Sequence, residues 1–104
     1  MATATPEWVP VIIDRPEAHM SFRFEAYEEA GRIVCGVYDI QGTVKAGPKS
    51  FVAALRRELR NLEQSAKANG AQEFRIGGRW GRRIVPDYEP FPIPADPLQR
   101  RKFL

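Results

Sequence analysis

Hydrophobic and polar positions alternate with a period of two in the first part of the chain and switch to a helical period near its middle. Residues 21–27 place Phe22, Phe24 and Ala26 on one side and Arg23, Glu25 and Tyr27 on the other, the pattern of a half-buried strand. Residues 32–40 follow, with Ile33, Cys35 and Val37 on one face and Val34, Tyr38 and Ile40 on the other. A strand apolar on both faces belongs inside a sheet. Between the two, EEAG at 28–31 predicts a hairpin loop of about four residues, with Gly31 free to take a positive φ. Upstream, WVPVII at 8–13 reads as a strand, and Pro10, with no N–H to give a ladder, assigns it to a sheet edge. Residues 1–7 read as a frayed start. Residues 14–19 form a connection in which Pro16 holds Arg15 extended.

From residue 51 the period changes. Phe51, Leu55, Leu59, Leu62 and Ala66 recur every three or four residues, and Val52 and Ala54 widen them into an apolar stripe. The other face carries Arg56, Arg57, Arg60, Glu63, Gln64 and Lys67. Residues 41–47 (QGTVKAG) are a loop leading to this helix. Pro48 suits its first turn and Ser50 is a competing N-cap; Asn69-Gly70 closes it. About 20 residues of helix span roughly 30 Å. Beyond it, AQEFRI at 71–76 predicts a strand, with Phe74 and Ile76 facing the core and Glu73 and Arg75 facing away. Gly77-Gly78 predicts a tight reversal, and RWGRRIV at 79–85 a returning strand with Trp80, Arg82 and Ile84 on one face and a bulge at Gly81. From Pro86 the chain reads as extended and polyproline-like, because five prolines fall in the last nineteen residues.

These elements predict an α+β fold: an antiparallel-rich sheet of four to five strands packed by one long helix. Residues 1–86 form the domain, and residues 87–104 an extended, proline-rich and basic tail. One helix is about 10–12 Å wide and strands lie about 4.8 Å apart, so it covers little more than two strands of one face. The residues that want cover on the other face predict that the tail, through Tyr88, Phe91 and Ile93, docks on the sheet or on a partner.

Composition narrows the functional classes. At 104 residues the chain is the size of one domain. A lone cysteine, Cys35, excludes an intramolecular disulfide and suits a reducing compartment. No leader-like start and no apolar run near about 18 residues is present, so a cytoplasmic protein without membrane contact is expected. One histidine and one cysteine fall short of a zinc ligand set, and no metal or cofactor is expected. His19 reads as a solvated loop residue and Cys35 as a small core hydrophobe. Glu25, Glu28, Glu29 and Asp39 cluster at a hairpin, where solvated carboxylates are ordinary, so no catalytic residue is assigned. Charge is segregated: residues 1–41 hold three arginines against seven acids, residues 42–104 thirteen basic residues against six acids. Such asymmetry fits an anionic partner or homo-oligomeric self-association.

The candidate binding residues are therefore Arg56 and Arg60 on the helix and Arg79, Trp80, Arg82 and Arg83 in GGRWGRR. Glycines there let backbone approach a ligand, and Trp80 could stack on a base. Lys67 extends the helical row, and Arg100, Arg101 and Lys102 form a third basic row. The expected function is a small non-enzymatic interaction module whose basic face contacts an acidic protein or nucleic acid. The hairpin, the loop QGTVKAGPKS, the helix ending in AKANGAQEFRI and the strand after it resemble, over about 45 residues, the acetyl-coenzyme A-binding half of GNAT acetyltransferases. That resemblance implies a small acyltransferase-like enzyme holding an anionic cofactor at residues 42–49. The loop departs from the family's QxxGxG type, and Pro48 removes a backbone donor. A structural subunit of a larger assembly is the third expectation.

Overall fold

Alternation and helical period between them build a mixed sheet with one long helix across one face. The computed structural model describes residues 7–14, 18–44 and 48–104. The elements in chain order are β1 (Glu7–Asp14), β2 (Ala18–Glu29), β3 (Arg32–Val44), α1 (Pro48–Ala68), β4 (Glu73–Ile76), α2 (Gly81–Ile84), β5 (Glu89–Pro90) and β6 (Arg100–Phe103). The strands form one six-stranded, mostly antiparallel sheet in the order β1-β2-β3-β4-β6-β5. That is at least one strand more than periodicity predicts. The start at 1–6, Arg15-Pro16 and the loop residues 45–47 lie outside the described residues.

β1, β2 and β3 are an antiparallel meander, with β1 at the edge where Pro10 can be tolerated. The β2–β3 turn is tighter than the four residues expected, because Glu29 already pairs with Arg32. Only Ala30 (φ 52°) and Gly31 (φ 77°) are left to turn the chain, and two successive left-handed residues match the twist of the flanking strands. β2 also starts earlier than expected, so His19 is a strand residue. Its Nδ1 is 3.6 Å from Asp14 Oδ1 across the β1–β2 pair.

β3 carries a bulge. Its register with β2 passes from Ser21–Gln41 to Arg23–Tyr38, so Phe22 stands opposite both Asp39 and Ile40. Asp39 takes the left-handed conformation (φ 55°), as the extra residue of a bulge. Ile40 is thereby turned onto the helix-side face and packs at the margin of the core. Plain alternation had put it with Val34 and Tyr38.

A parallel pair needs a long crossover, and α1 is that crossover: it carries the chain over the sheet so that β4 lies parallel to β3. Gly70 (φ 93°) ends it, with the Ala71 N–H donating to Ala66 O at 2.9 Å. Phe51, Leu55 and Leu59 from α1 meet Met20, Phe22, Cys35, Val37, Phe74 and Ile76 from the sheet. Leu55 and Leu59 are fully buried, each worth roughly 1.5–3 kcal/mol.

After β4 one expectation is corrected and one is made more specific. Residues 79–85 do not return as a strand. Ile84 N–H donates to Trp80 O (3.0 Å) and Val85 N–H to Gly81 O (2.9 Å), so the segment is one helical turn. Alternation would have put Arg82 into the core between Trp80 and Ile84, whereas the turn stacks Trp80 over Ile84 and leaves Arg82 exposed. Residues 87–104 do dock on the sheet, and as strands of it rather than as an extended, proline-rich tail laid against it. Tyr88 is buried in the core, and β6 inserts between β4 and β5, pairing antiparallel with both. β6 alternates, sending Arg100 and Lys102 to the helix side and Arg101 and Phe103 to the other.

Candidate functional site

The GGRWGRR stretch joins β4 to α2 through a single turn. Gly77 N–H donates to Val37 O at 2.9 Å, extending the parallel ladder one step beyond Ile76. Gly78 (φ 79°) then takes the chain off the sheet, and its N–H is held by Asp96 Oδ2 at 2.9 Å. Trp80 follows, half-buried, with its ring 5.0 Å from that of Phe51 and tilted by 60°. The guanidinium groups of Arg79 and Arg83 lie 5.5 and 5.9 Å from the indole. Trp80 is thus a post, anchored in the core, that holds two arginines at the surface; it does not present a bare ring for stacking.

The six residues singled out by sequence separate into two groups. Arg79, Arg82 and Arg83 are exposed, and no carboxylate among the described residues pairs with any of them. Arg56 is drawn to the same place: its Nη2 donates to Arg83 O (3.1 Å) and its Nε to Ile84 O (3.4 Å). Two carbonyls at the end of α2 are satisfied in this way, without neutralising the charge. Arg60 does not belong to the free basic surface. Its Nη2 donates to Asp87 Oδ1 at 2.7 Å and its Nη1 to Glu63 Oε2 at 3.0 Å. The third basic row is likewise spent, apart from Arg100. Lys102 Nζ reaches Glu63 Oε1 at 3.0 Å, and Arg101 Nε donates to Glu89 Oε1 at 2.8 Å.

Beside this surface, on the sheet face away from α1, β3 and β4 part after Val37 and Ile76 and leave a cleft of about 770 Å³. Its floor is Tyr38. The ring lies so close over two glycines that a Cβ at Gly36 would meet it at 2.5 Å and one at Gly77 at 2.6 Å. Burial, and then the neighbouring Tyr27, push the Tyr38 phenol above its ordinary value. Tyr27, Phe91 and Ile93 form walls, Arg79 and Trp80 stand at one end, and Asp96 and Gln99 close the side. Arg23 is held by Glu25 (3.1 Å) and Asp39 (2.9 Å).

Under the cleft lies a buried ion network, on the strand face where alternation places Glu73 and Arg75. Glu73 and Arg75 are 0% and 5% exposed. Arg75 Nε donates to Glu73, Nη2 to Glu29 and Nη1 to Tyr27 Oη (2.7 Å), and Phe91 covers its guanidinium at 4.8 Å. Arg32 Nη1 is 3.2 Å from Glu73 Oε1. The hydrogen bond from Arg75 holds the Glu29 carboxyl below the usual carboxylate range. Sequence pattern finds Glu73 and Arg75 as a strand face but cannot see that the C-terminal segment roofs it. Tyr27, Tyr38, Asp96 and Phe91 were missed for the same reason. The one local signal was that tyrosines and glycines alternate on a face where only apolar cover was sought.

Among the described residues no group of three or more His, Cys, Asp or Glu is placed to hold a metal ion, and no helix is long and apolar enough to cross a membrane. Comparison with family models, with curated proteins and with solved structures gives no match.

Proposed function

We propose that the chain is a non-enzymatic binding module whose arginine surface, at the junction of α1 and α2, contacts a polyanion, nucleic acid in the first place and an acidic protein in the second. The observation that supports it is the division of the cations. Arg60, Arg75, Arg101 and Lys102 are consumed by carboxylates within the fold, while Arg79, Arg82 and Arg83 share one exposed turn and pair with no carboxylate among the described residues. Surface cations gain little by staying unpaired unless a partner supplies the anion, and the planar fork of arginine suits phosphate oxygens two at a time. The test is fluorescence anisotropy of a labelled oligonucleotide across a salt series, with polyglutamate as competitor. Replacing Arg79, Arg82 and Arg83 by alanine should flatten the log–log salt dependence by about 2 on a single strand, since each phosphate contact contributes roughly 0.7. An unchanged affinity and slope sink the assignment. Tight polyglutamate binding without oligonucleotide binding would give the surface to an acidic protein.

One observation favours a second function, the acyltransferase-like enzyme. The helical crossover sets β4 parallel to β3, and the two strands part after Val37 and Ile76 to open a cleft. A coenzyme A-type ligand at millimolar concentration should then raise the melting temperature by linkage. No shift argues against it.

A further inference from the structure

The cleft over Tyr38 shares only Arg79 with the three exposed arginines of the proposed surface, yet several unusual features converge on it. A non-glycine residue, Asp39, is held left-handed beside its floor, a conformation that costs of order 1–3 kcal/mol and gathers at functional sites. Gly36 and Gly77 are the only side chains that let the Tyr38 ring lie flat, since any Cβ there collides with it. Asp96 ties the far wall to Gly78 N and, through Oδ1, to Leu98 N at 3.1 Å, so the cleft does not depend on a ligand for its shape. Its volume of about 770 Å³ is within the usual range of roughly 300–1,000 Å³ for small-ligand sites.

The lining defines the chemistry of the occupant. Arg23 is neutralised by Glu25 and Asp39, and Arg75 by Glu29 and Glu73. Asp96 accepts two backbone N–H groups. Arg79 is the lining cation that has no carboxylate partner among the described residues. One anionic group is therefore accommodated, at the Arg79 end. The rest of the wall alternates aromatic rings with paired donors and acceptors, which suits a flat, polar ring system rather than an aliphatic chain. Gly78, Arg79 and Gln99 also border a second, smaller depression, whose other walls include Arg82 and Arg100. The Arg100 guanidinium donates to Tyr88 O and likewise has no carboxylate partner among the described residues. A continuous path thus leads from the cleft past Arg79 to Arg82 and Arg100.

From this continuity we infer that the cleft receives a single unstacked nucleotide, its base over Tyr38 and its phosphate at Arg79, with the adjoining phosphates of a strand running along Arg82 and Arg100. The inference rests on the polyanion-binding function proposed above and makes it specific: the partner is single-stranded, because a base inside a duplex cannot reach the cleft. Free nucleotides share this chemistry and differ from a strand in lacking the outer phosphates. Single-stranded recognition commonly combines such a base pocket with a basic track.

The experiment titrates the full chain with a labelled 12-nucleotide single strand, the corresponding duplex, and a nucleoside monophosphate as competitor. Ile93→Trp fills the rim of the cleft from a position already 38% exposed, so folding is not at stake, and Gly77→Ala displaces Tyr38 from below. Single strand should bind at least tenfold more tightly than duplex at equal salt. Ile93→Trp should cost about tenfold with the salt slope unchanged, and the monophosphate should compete in wild type but not in the variant. If the monophosphate binds with full strand affinity, the source is a free nucleotide and the outer path is refuted. If duplex and single strand bind alike and Ile93→Trp changes nothing, the cleft inference is overturned while the arginine surface stands. If the triple arginine variant binds like wild type, the surface falls, and this inference with it.

Discussion

Arg75→Met tests the buried ion network most directly. Methionine nearly fills the space of the arginine stem, so the change removes the guanidinium and little else. Glu73, 0% exposed, then keeps only Arg32 at 3.2 Å and Arg101 at 3.9 Å, and Glu29 and Tyr27 lose their shared partner. Breaking one side of a buried pair costs about 3–5 kcal/mol, because a charge is left desolvated. Arg32 offsets part of that, which sets the expectation near 3 kcal/mol. For a chain of this size that is a fall in melting temperature of roughly 10–20 °C. Urea denaturation followed by far-ultraviolet circular dichroism measures it, with the slope of the transition checking that the unfolded state is unchanged. The double variant Arg75→Met/Glu73→Leu should regain stability relative to Arg75→Met alone, since replacing both charges with apolar groups removes the orphan. A loss below about 1 kcal/mol for Arg75→Met, or a double variant worse than the sum of the singles, would refute the network as the support of this sheet face.

Three further outcomes follow from the geometry. Acid should destabilise the fold: Asp87 is held below the usual carboxylate range by Arg60, Glu29 by Arg75, and in Glu63 the upward push of burial is outweighed by the hydrogen bonds from Tyr88 and Lys102 together with the charges of Lys102 and Arg60. Protons then bind the unfolded chain before the folded one, so this stability is complete above about pH 5 and is lost as pH falls through about 4 and below, read as a falling urea midpoint. Tyr88→Phe removes a hydroxyl that donates to Glu63 at 2.6 Å and should cost about 1–2 kcal/mol in the same assay. Gly36→Ala should cost about 1–3 kcal/mol through its clash with the Tyr38 ring, and adding Tyr38→Ala should remove most of that penalty; a penalty that survives the second change would assign the glycine to backbone conformation instead.

The fold was legible where one period ran undisturbed. Phe22, Phe24 and Ala26 against Arg23, Glu25 and Tyr27 place β2, and the Phe51 to Ala66 stripe places α1, since both patterns are local and each face meets a neighbour of the expected kind. Legibility failed where one residue broke the period. The extra residue at Asp39 sends Ile40 to the opposite face, and no feature of the run RIVCGVYDI marks it. RWGRRIV supports a strand by alternation and a helical turn by the spacing of Trp80 and Ile84; the turn wins because it alone keeps Arg82 in water. The C-terminal segment docks as expected, but its strand pairing was not legible, because proline density argues for extended chain, which a strand also is. Its pairing with β4 is a contact between residues 30 positions apart at one end of the ladder, Glu73 with Phe103, and 24 at the other, Ile76 with Arg100.

The candidate site was half legible, for a reason that lies in electrostatics rather than in packing. A sequence gives the number of cations and their order, and by that measure Arg56, Arg60, Arg79, Arg82 and Arg83 are equivalent. What separates them is whether a carboxylate from elsewhere arrives, and those arrivals are long-range: Asp87 reaches Arg60 from 27 positions away and Glu63 reaches Lys102 from 39. Once the C-terminal segment enters the sheet, it brings acids to one set of basic residues and, among the described residues, none to the other. The same event roofs Arg75 with Phe91 and builds the far wall of the cleft with Asp96. Segregation of free charge and creation of the cleft therefore have a single structural cause, and cutting the chain before Arg100 should abolish both together. Loss of the cleft with an intact, unchanged salt slope would show that they are independent.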